Sequence, residues 1–253
     1  MLRRVVFIVG DRFAIFRQGK DNVQLYSEYV DGLAGRGAAG EAPVTFYVPS
    51  QGLSDREVAV VLATASPANR AFLETSGALP GGRSGATHKH KGANVIITEP
   101  EARGPDHYTA KLHLDDDCAE MSDHVTGCHL QGMLLIEAAR QLFIAVTERH
   151  YLADGERGGK YFVINSFDVR YKAFAFPLPT SLDYRVLTVE RKARCSRFTA
   201  EIDVVQAGAS VCEVKVDFAV FDAAPLTSTE VSKSALAVER ELSRLTQALE
   251  LPA

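Results

Sequence analysis

The longest apolar stretch of the chain lies near its centre, at residues 130–150, and its pattern predicts a helix. Apolar and small residues fall on every side of that helix, namely Leu130, Gly132, Met133, Leu134, Leu135, Ile136, Ala138, Ala139, Leu142, Phe143, Ile144, Ala145 and Val146. A helix that is apolar all round is normally buried all round, so we expect a sheet to wrap it. Glu137, Arg140 and Gln141 interrupt the apolar surface. Because buried charge needs a partner, Glu137 and Arg140, one turn apart, either pair with each other or serve a site.

Short runs of strand length lie on both sides of this helix. They occupy residues 95–98 and 108–114 before it, and residues 161–164, 167–174, 181–190, 198–206 and 210–221 after it. The alternation of apolar and polar positions in several of these runs is typical of antiparallel strands. One buried helix followed by a long antiparallel meander predicts an α+β domain.

The first part of the chain has a different pattern. Residues 4–9 and 44–48 are β-branched apolar runs that predict strands. Residues 13–16 form either the return strand of a hairpin or a turn into a helix, and Asp21 is placed to cap a helix that runs to Leu33. Ser54 and Glu57 have the spacing of a capping box.

These patterns divide the chain into three parts. We predict a small α/β unit at residues 1–78, a main domain at residues 87–224 and a helical tail at residues 225–253. The linker between the first two is rich in Gly and basic residues, and residues 32–40 also read as a loop. The first unit has neither a Gly-x-Gly-x-x-Gly motif nor a Walker loop, so we expect no nucleotide site there.

Composition narrows the class of protein. The 253 residues are 46% hydrophobic and 24% charged, with a net charge of −4, so neither nucleic acid nor a basic partner is indicated. No apolar run is long enough for a membrane span. Four scattered cysteines without a Cys-x-x-Cys pair predict free thiols in a reducing cytoplasm. Asp115, Asp116 and Asp117 lack calcium-loop spacing and predict a turn, and we expect no metal or other cofactor.

One stretch of sequence resembles a known family. Its residues are His90-Lys91, then Asn94 to Pro100, and above all the run from Asp123 to Gln141, which reads DHVTGCHLQGMLLIEAARQ. This pattern is similar to the A-factor biosynthesis (AfsA-type) hotdog family, and the resemblance covers residues 87–221. It implies a hotdog fold, a long helix wrapped by an antiparallel sheet. It also implies condensation of a β-ketoacyl thioester, carried by acyl carrier protein, with a triose phosphate to make butyrolactone or butenolide signals.

Two departures from the family pattern affect what it implies. The family typically carries two such segments in tandem, whereas this chain has one, and Cys128 stands where Gln is usual. Hotdog sheets ordinarily pair edge to edge, so a homodimer is expected to replace the missing half.

A looser likeness is to the β-hydroxyacyl-carrier-protein dehydratases, in which a His before the helix acts with an acid on it. His124 and Glu137 are the analogous pair, but their spacing is one residue shorter and Thr126 replaces the usual Pro. A dehydratase or thioesterase acting on acyl-carrier-protein or coenzyme A thioesters is therefore an alternative. A non-catalytic hotdog that binds an acyl chain or a partner protein is another.

The candidate catalytic residues cluster where the turn meets the helix. His124 or His129 is a candidate general base, and Asp123 is either its neighbour in catalysis or the cap of the helix. Glu137 is expected to orient a His, or to act as acid or base if burial raises its pKa. The remaining alternative for Glu137 is an ion pair with Arg140.

The candidate substrate-binding residues surround that turn. The amides near Gly127 are placed to polarise a carbonyl, Gln131 is placed to donate to one, and Arg140 is a candidate clamp for a phosphate or carboxylate. Cys128 is either a thiol at the site or a packed small residue. His90 and Lys91, in a basic cluster that begins at residue 88, are candidates to receive a substrate phosphate or an acidic carrier protein.

Overall fold

A computed structural model describes residues 3–33, 44–122 and 127–250, apart from the side chains of residues 224–226 and 245–250. Its N-terminal part contains a parallel sheet in the order β2-β1-β3. The strands are β1 (Arg3–Val9), β2 (Val23–Leu25) and β3 (Val44–Pro49), and the helices are α1 (Ala14–Arg17), α2 (Tyr26–Leu33), α3 (Asp55–Ala63) and α4 (Pro67–Thr75). The capping box is confirmed, because the Ser54 hydroxyl accepts from the N–H of Glu57 while the Glu57 carboxylate accepts from the N–H of Ser54. The small α/β unit is thus present.

Two local predictions in this unit need correction. Residues 13–16 are not a return strand, because a 3₁₀ turn at Asp11–Phe13 leads directly into α1, as in the alternative reading. The helix expected from Asp21 begins later, at Tyr26, because residues 23–25 pair with β1 as a short parallel strand. That pairing is a tertiary contact that the local pattern does not contain. The predicted loop at residues 32–40 lies mostly outside the described residues.

The larger sheet has six antiparallel strands in the order β4-β5-β7-β8-β9-β6. These strands are β4 (Glu101–Gly104), β5 (His107–Lys111), β6 (Lys160–Tyr171), β7 (Thr180–Arg191), β8 (Cys195–Gln206) and β9 (Ala209–Asp222). The two runs expected at residues 161–164 and 167–174 are one edge strand, β6, with a register shift between Ile164 and Ser166. Residues 95–98 form only isolated bridges, between Arg83 and Thr98 and between Ile97 and Leu112. The meander is therefore limited to β7, β8 and β9, and β6 closes the far side of β9.

The central helix is enclosed by this sheet. The short α5 (Ala119–Ser122) precedes α6 (Gly132–Val146), which continues into a π-helical turn at Thr147–Tyr151. Phe143 of α6 is fully buried and stacks on Phe218 of β9 with ring centroids 4.4 Å apart. A long helix wrapped by an antiparallel sheet is the hotdog arrangement, so the predicted α+β hotdog fold is confirmed.

The first half of α6 departs from the expectation of burial on all sides. Met133 is 64% exposed, and Ile136, Glu137 and Arg140 are only partly buried. These positions lie on one helical stripe at the spacing i, i+3, i+4 and i+7. The stripe opens beside the exposed edge strand β6, which positions the polar residues of α6 at a surface.

The chain ends in α7 (Ala223–Glu250), a helix whose described side chains are mostly exposed. The sequence predicts a helical tail at residues 225–253, and the helix begins at Ala223. Among the helices in residues 3–33, 44–122 and 127–250, none combines the length and apolarity that a bilayer span requires.

Candidate functional site

The N-terminus of α6 presents hydrogen-bond donors without side-chain caps. Gln131 occupies the N-cap position with extended backbone, and its side chain makes no capping bond. Its Nε2 atom is buried and has no hydrogen-bond partner among the described residues. The first N–H groups of a helix have no partner within the helix. Gln131 and the first turn of α6 therefore form a set of donors suited to a carbonyl oxygen or an oxyanion.

The start of α6 is packed against the end of β6. A Cβ atom at Gly132 would lie 2.6 Å from both Cζ and Oη of Tyr171, so the aromatic ring occupies the space that a side chain would need. The N–H of Leu130 donates to the carbonyl of Ala175 at 2.7 Å. These contacts fix the entry into the helix and show why residue 132 is a glycine.

An ionic network is centred on Glu137. Its carboxylate accepts from Arg140 through Nε at 2.7 Å and Nη2 at 2.8 Å, and from Gln141 Nε2 at 2.9 Å. Lys89 Nζ lies 2.8 Å from the same carboxylate and 2.8 Å from that of Glu120. The ion pair with Arg140, one of the two readings open from the sequence, is therefore present, and Lys89 extends it.

The network keeps Glu137 ionised. Burial opposes ionisation, but the hydrogen bonds from Arg140, Gln141 and Lys89 outweigh it and lower the pKa of Glu137 to about 2. The same hydrogen bond raises the pKa of Arg140, despite an opposing effect of burial. For Lys89 burial lowers the pKa, but its bonds to Glu120 and Glu137 dominate and raise it. The condition for acid catalysis by Glu137, a raised pKa, is not met.

Gln141 ties this network to the segment before β4. The residue is fully buried, its Oε1 accepts from the N–H of Ile96 at 2.9 Å, and its Nε2 also donates to the carbonyl of Asn94 at 2.8 Å. The two ends of one amide thus hold a strand-like segment against the helix and support Glu137. The sequence marked Gln141 only as an interruption of the apolar run.

The turn before α6 is described only in part. Asp123 and His124 lie outside the described residues. Gly127 has open space around its Cβ position, and Cys128 is partly buried, beside an apolar groove lined by Phe16 and Phe176. His129 is exposed, with its ring centroid 4.7 Å from that of Phe174.

Two cavities lie beside the open stripe of α6. The first, of about 190 Å³, lies between α6 and β6, and Arg140, Phe143 and Phe162 are among its lining residues. The second, of about 410 Å³, is a basic groove, with lining residues that include His88, Lys89, His90, Arg149 and Arg157. His88 lines both cavities.

The basic groove has one buried acid at its base. Glu148 is 2% exposed and lies 2.7 Å from His88 Nε2, and it also accepts from the N–H of Gly158. Of the predicted substrate-binding pair, His90 lines this groove and Lys91 is exposed. Sequence reasoning missed Arg149 and Arg157, because only the fold brings the end of α6 beside the linker.

The described residues contain no group of three or more His, Cys, Asp or Glu side chains arranged as a metal site. Asp115–Asp117 form a turn, as expected, and Arg83 pairs with Asp115 at 3.1 Å. All four cysteines are free.

Several solved structures are similar to this chain at low sequence identity. A thioesterase from Haemophilus influenzae is 14% identical, with 51% of this chain and 80% of that chain covered and a TM-score of 0.37. A putative thioesterase from Lactococcus lactis is 14% identical, with 50% of this chain and 93% of that chain covered and a TM-score of 0.38. No curated protein sequence matches significantly.

The sequence pattern of the A-factor biosynthesis hotdog domain matches residues 83–222, which is more than half of the chain. The match includes the whole of α6, the six-stranded sheet and the basic groove. The chain therefore belongs to the A-factor biosynthesis hotdog (AfsA) family.

Proposed function

We propose that the protein is an acyltransferase of the AfsA type. It joins a β-ketoacyl thioester, carried by acyl carrier protein, to a hydroxylated acceptor such as dihydroxyacetone phosphate, in the synthesis of a butyrolactone or butenolide signal. The observation that carries the proposal is the uncapped N-terminus of α6, where the buried amide of Gln131 has no partner among the described residues. Family membership supports the thioester as the electrophile.

The donors at the start of α6 receive the thioester carbonyl. Its oxygen gains negative charge as the acceptor attacks, and the Gln131 amide with the first N–H groups of the helix stabilises that charge. The helix dipole acts in the same direction. Because these donors are fixed before substrate arrives, they need no rearrangement in the transition state.

Proton transfer is assigned to a histidine. His124 or His129 removes the proton of the acceptor hydroxyl, the oxygen attacks the thioester carbon, and the carbon–sulfur bond breaks. The histidine then returns the proton to the leaving thiolate. Glu137, with its pKa lowered to about 2, remains a carboxylate throughout and positions Arg140 and Lys89.

Positively charged side chains near α6 suit both the acyl-carrier-protein thioester and the phosphorylated acceptor. The basic groove holds Lys89, His90, Arg149 and Arg157, which fit the phosphate of a pantetheine arm and the acidic surface of its carrier protein. Arg140 lines the cavity between α6 and β6, whose other walls include Phe143 and Phe162. We assign the acyl chain to that apolar wall and the phosphate of the acceptor to Arg140.

A homodimer completes the site in this proposal. The edge strand β6 exposes Tyr161, Ile164 and Tyr171, and Met133 of α6 and Phe174 are exposed near it. An unpaired edge with apolar side chains is a surface that pairs readily with a second strand. Two copies joined along β6 would supply the two hotdog segments that the family carries in tandem. We place the reaction in the cytoplasm, where free cysteines persist.

The test is incubation of the full chain with a β-ketoacyl thioester on acyl carrier protein, with and without dihydroxyacetone phosphate, followed by mass spectrometry. A product containing both the acyl group and the acceptor, lost in His124→Ala or in Gln131→Leu, supports the proposal. The variant Gln206→Leu removes a buried amide outside this site and controls for loss of fold. In a parallel incubation with a β-hydroxyacyl thioester, loss of water would indicate a dehydratase, and release of free acid from either thioester would indicate a thioesterase. An intact thioester that remains bound would indicate a non-catalytic binding protein.

A further inference from the structure

A separate cavity lies at the junction of the N-terminal unit and the larger sheet. It has a volume of about 230 Å³ and is lined by residues from the end of β3, from β5 and from the turn between β8 and β9. The side chain of Gln51 holds the junction together, because its Nε2 donates to the carbonyl of Leu112 at 3.0 Å and its Oε1 accepts from the N–H of Leu114 at 2.9 Å. The carboxyl ends of parallel strands are where α/β units bind small molecules. The cavity occupies that position on β3.

A buried histidine in the lining has unused hydrogen-bonding capacity. His113 is 8% exposed, and neither ring nitrogen forms a hydrogen bond of good geometry among the described residues. Its nearest polar neighbours are Asp55 Oδ1, 3.5 Å from Nε2, and the backbone of Gly81, whose weak hydrogen bond to the ring raises the pKa less than burial lowers it. Burial, with the neighbouring Arg83, lowers the pKa of His113 to about 4. The neutral ring therefore offers one donor and one acceptor at pH 7.

A lysine supplies the charge of the cavity. Among the described residues that line it, Lys111 alone carries a formal charge at neutral pH. Its Nζ donates to the carbonyls of Gly77 at 2.7 Å and Leu79 at 2.6 Å, which leaves one of three N–H donors for another partner. Burial lowers the pKa of Lys111 because it disfavours the charged ammonium group. A nearby anion would stabilise that charge and raise the pKa again.

The two polar groups lie on one face of the same extended segment. Lys111 ends β5 and His113 is two residues further, so their side chains lie on the same side. Val58, Leu112 and Pro179 make up part of the apolar lining. A single positive charge matches a monoanion better than a doubly charged phosphate, and the volume lies below that of pockets for drug-sized ligands, roughly 300 Å³ and above.

We propose that this cavity is a second ligand site, which binds a small organic monocarboxylate. The carboxylate accepts hydrogen bonds from Lys111 and His113, and the apolar body of the ligand lies against Val58 and Pro179. The site is separate from the α6 donors and does not depend on the acyltransferase proposal.

The proposal is tested by calorimetric titration of the full chain with hexanoate, and with hexanamide as its neutral counterpart. We expect one hexanoate per chain and at least tenfold weaker binding of hexanamide. Lys111→Met should weaken hexanoate binding about tenfold to hundredfold, since a hydrogen bond to a charged group is lost. Lys192→Met, which removes an exposed lysine away from the cavity, should leave the affinity unchanged. Equal affinity for the acid and the amide, or no saturable binding, would overturn the proposal.

A second variant separates this cavity from the one between α6 and β6. Ala78 is partly exposed and lines the cavity at the junction, so Ala78→Trp fills the space without entering the core. Hexanoate binding should be abolished in this variant while its circular-dichroism spectrum and thermal unfolding match those of the wild type. Unchanged hexanoate binding would place the ligand elsewhere. In the wild-type chain, which needs no substitution, hexanoate should shift the ring resonances of His113, and shifts confined to other histidines would contradict the assignment.

Discussion

The ionic network around Glu137 makes a quantitative prediction about stability. Substitution of Glu137 by Gln keeps the size of the side chain and removes its charge. The pKa of Glu137 falls from 4.5 to about 2 in the folded protein, and each unit corresponds to about 1.4 kcal/mol. We therefore expect Glu137→Gln to lower the free energy of unfolding by about 3 kcal/mol at pH 7. The side chain of Glu137 is only 14% exposed, so solvent screens this interaction little.

The dependence on pH follows from the direction of the shift. Because the folded state lowers the pKa of Glu137, the ionised carboxylate stabilises the fold, and this contribution is complete above the unfolded pKa of 4.5. It is lost as the pH falls toward 2. The difference between wild type and Glu137→Gln should therefore be constant from pH 7 to pH 5, and should fall to less than half of its value by about pH 3.

A second pair in the chain provides a matched control. Glu241 and Arg244 on α7 have the same spacing and the same two-bond geometry as Glu137 and Arg140, but the side chain of Glu241 is 57% exposed. Exposed pairs contribute little, so Glu241→Gln should have no measurable effect. Urea denaturation of the wild type and both variants, followed by circular dichroism at each pH, provides the measurement. Equal effects of the two substitutions, or a Glu137→Gln effect that does not change with pH, would refute the reasoning.

Three further predictions concern single side chains. Gln141→Leu should destabilise the fold by about 2–4 kcal/mol in urea denaturation, because the N–H of Ile96 and the carbonyl of Asn94 each lose a buried partner; a near-neutral effect would contradict this. Burial raises the pKa of Asp116 to about 6, so ionisation penalises the fold as the pH rises from 3.8 through 6. Asp116→Asn should therefore stabilise the protein by about 1–2 kcal/mol at pH 8 and not at pH 4 in thermal melts, and a gain independent of pH would count against it. Ser54→Ala removes the cap of α3 and should cost about 1 kcal/mol, whereas Ser54→Asp should retain most of the stability.

The elements that could be predicted from the sequence are those whose pattern is local. The central helix follows from one apolar run, the strands β7, β8 and β9 from alternation, and the start of α3 from two residues three apart. The place of β6 at the edge of the sheet could not be predicted, because alternation does not state which strands pair. The same holds for the short strand β2, which exists only through its pairing with β1.

In the candidate site, too, one feature follows from a local sequence pattern and another depends on the fold. The pairing of Glu137 with Arg140 was one of two readings of a one-turn spacing, and a helix alone can provide it. The pKa of Glu137 could not be predicted in direction, because Lys89 comes from the linker and is brought to the carboxylate by the fold. Burial alone would have raised that pKa, and the hydrogen bonds reverse it.

The N-terminal unit contributes structure to the hotdog domain as well as its own sheet. In the order β2-β1-β3, the chain passes from one side of β1 to the other, so a ligand crevice is expected between the ends of β1 and β3. Asp116 occupies that place, with its Oδ1 at 2.9 Å from a Cβ built on Gly10 and 3.0 Å from one built on Gly52. A side chain at Gly10 would first meet the carbonyl of Gly52, and one at Gly52 would first meet the ring of Phe13, so both glycines are needed for this close packing around the carboxylate. The hotdog domain thus fills the usual crevice itself, and the open space at the carboxyl end of the sheet is the neighbouring cavity that contains Lys111 and His113.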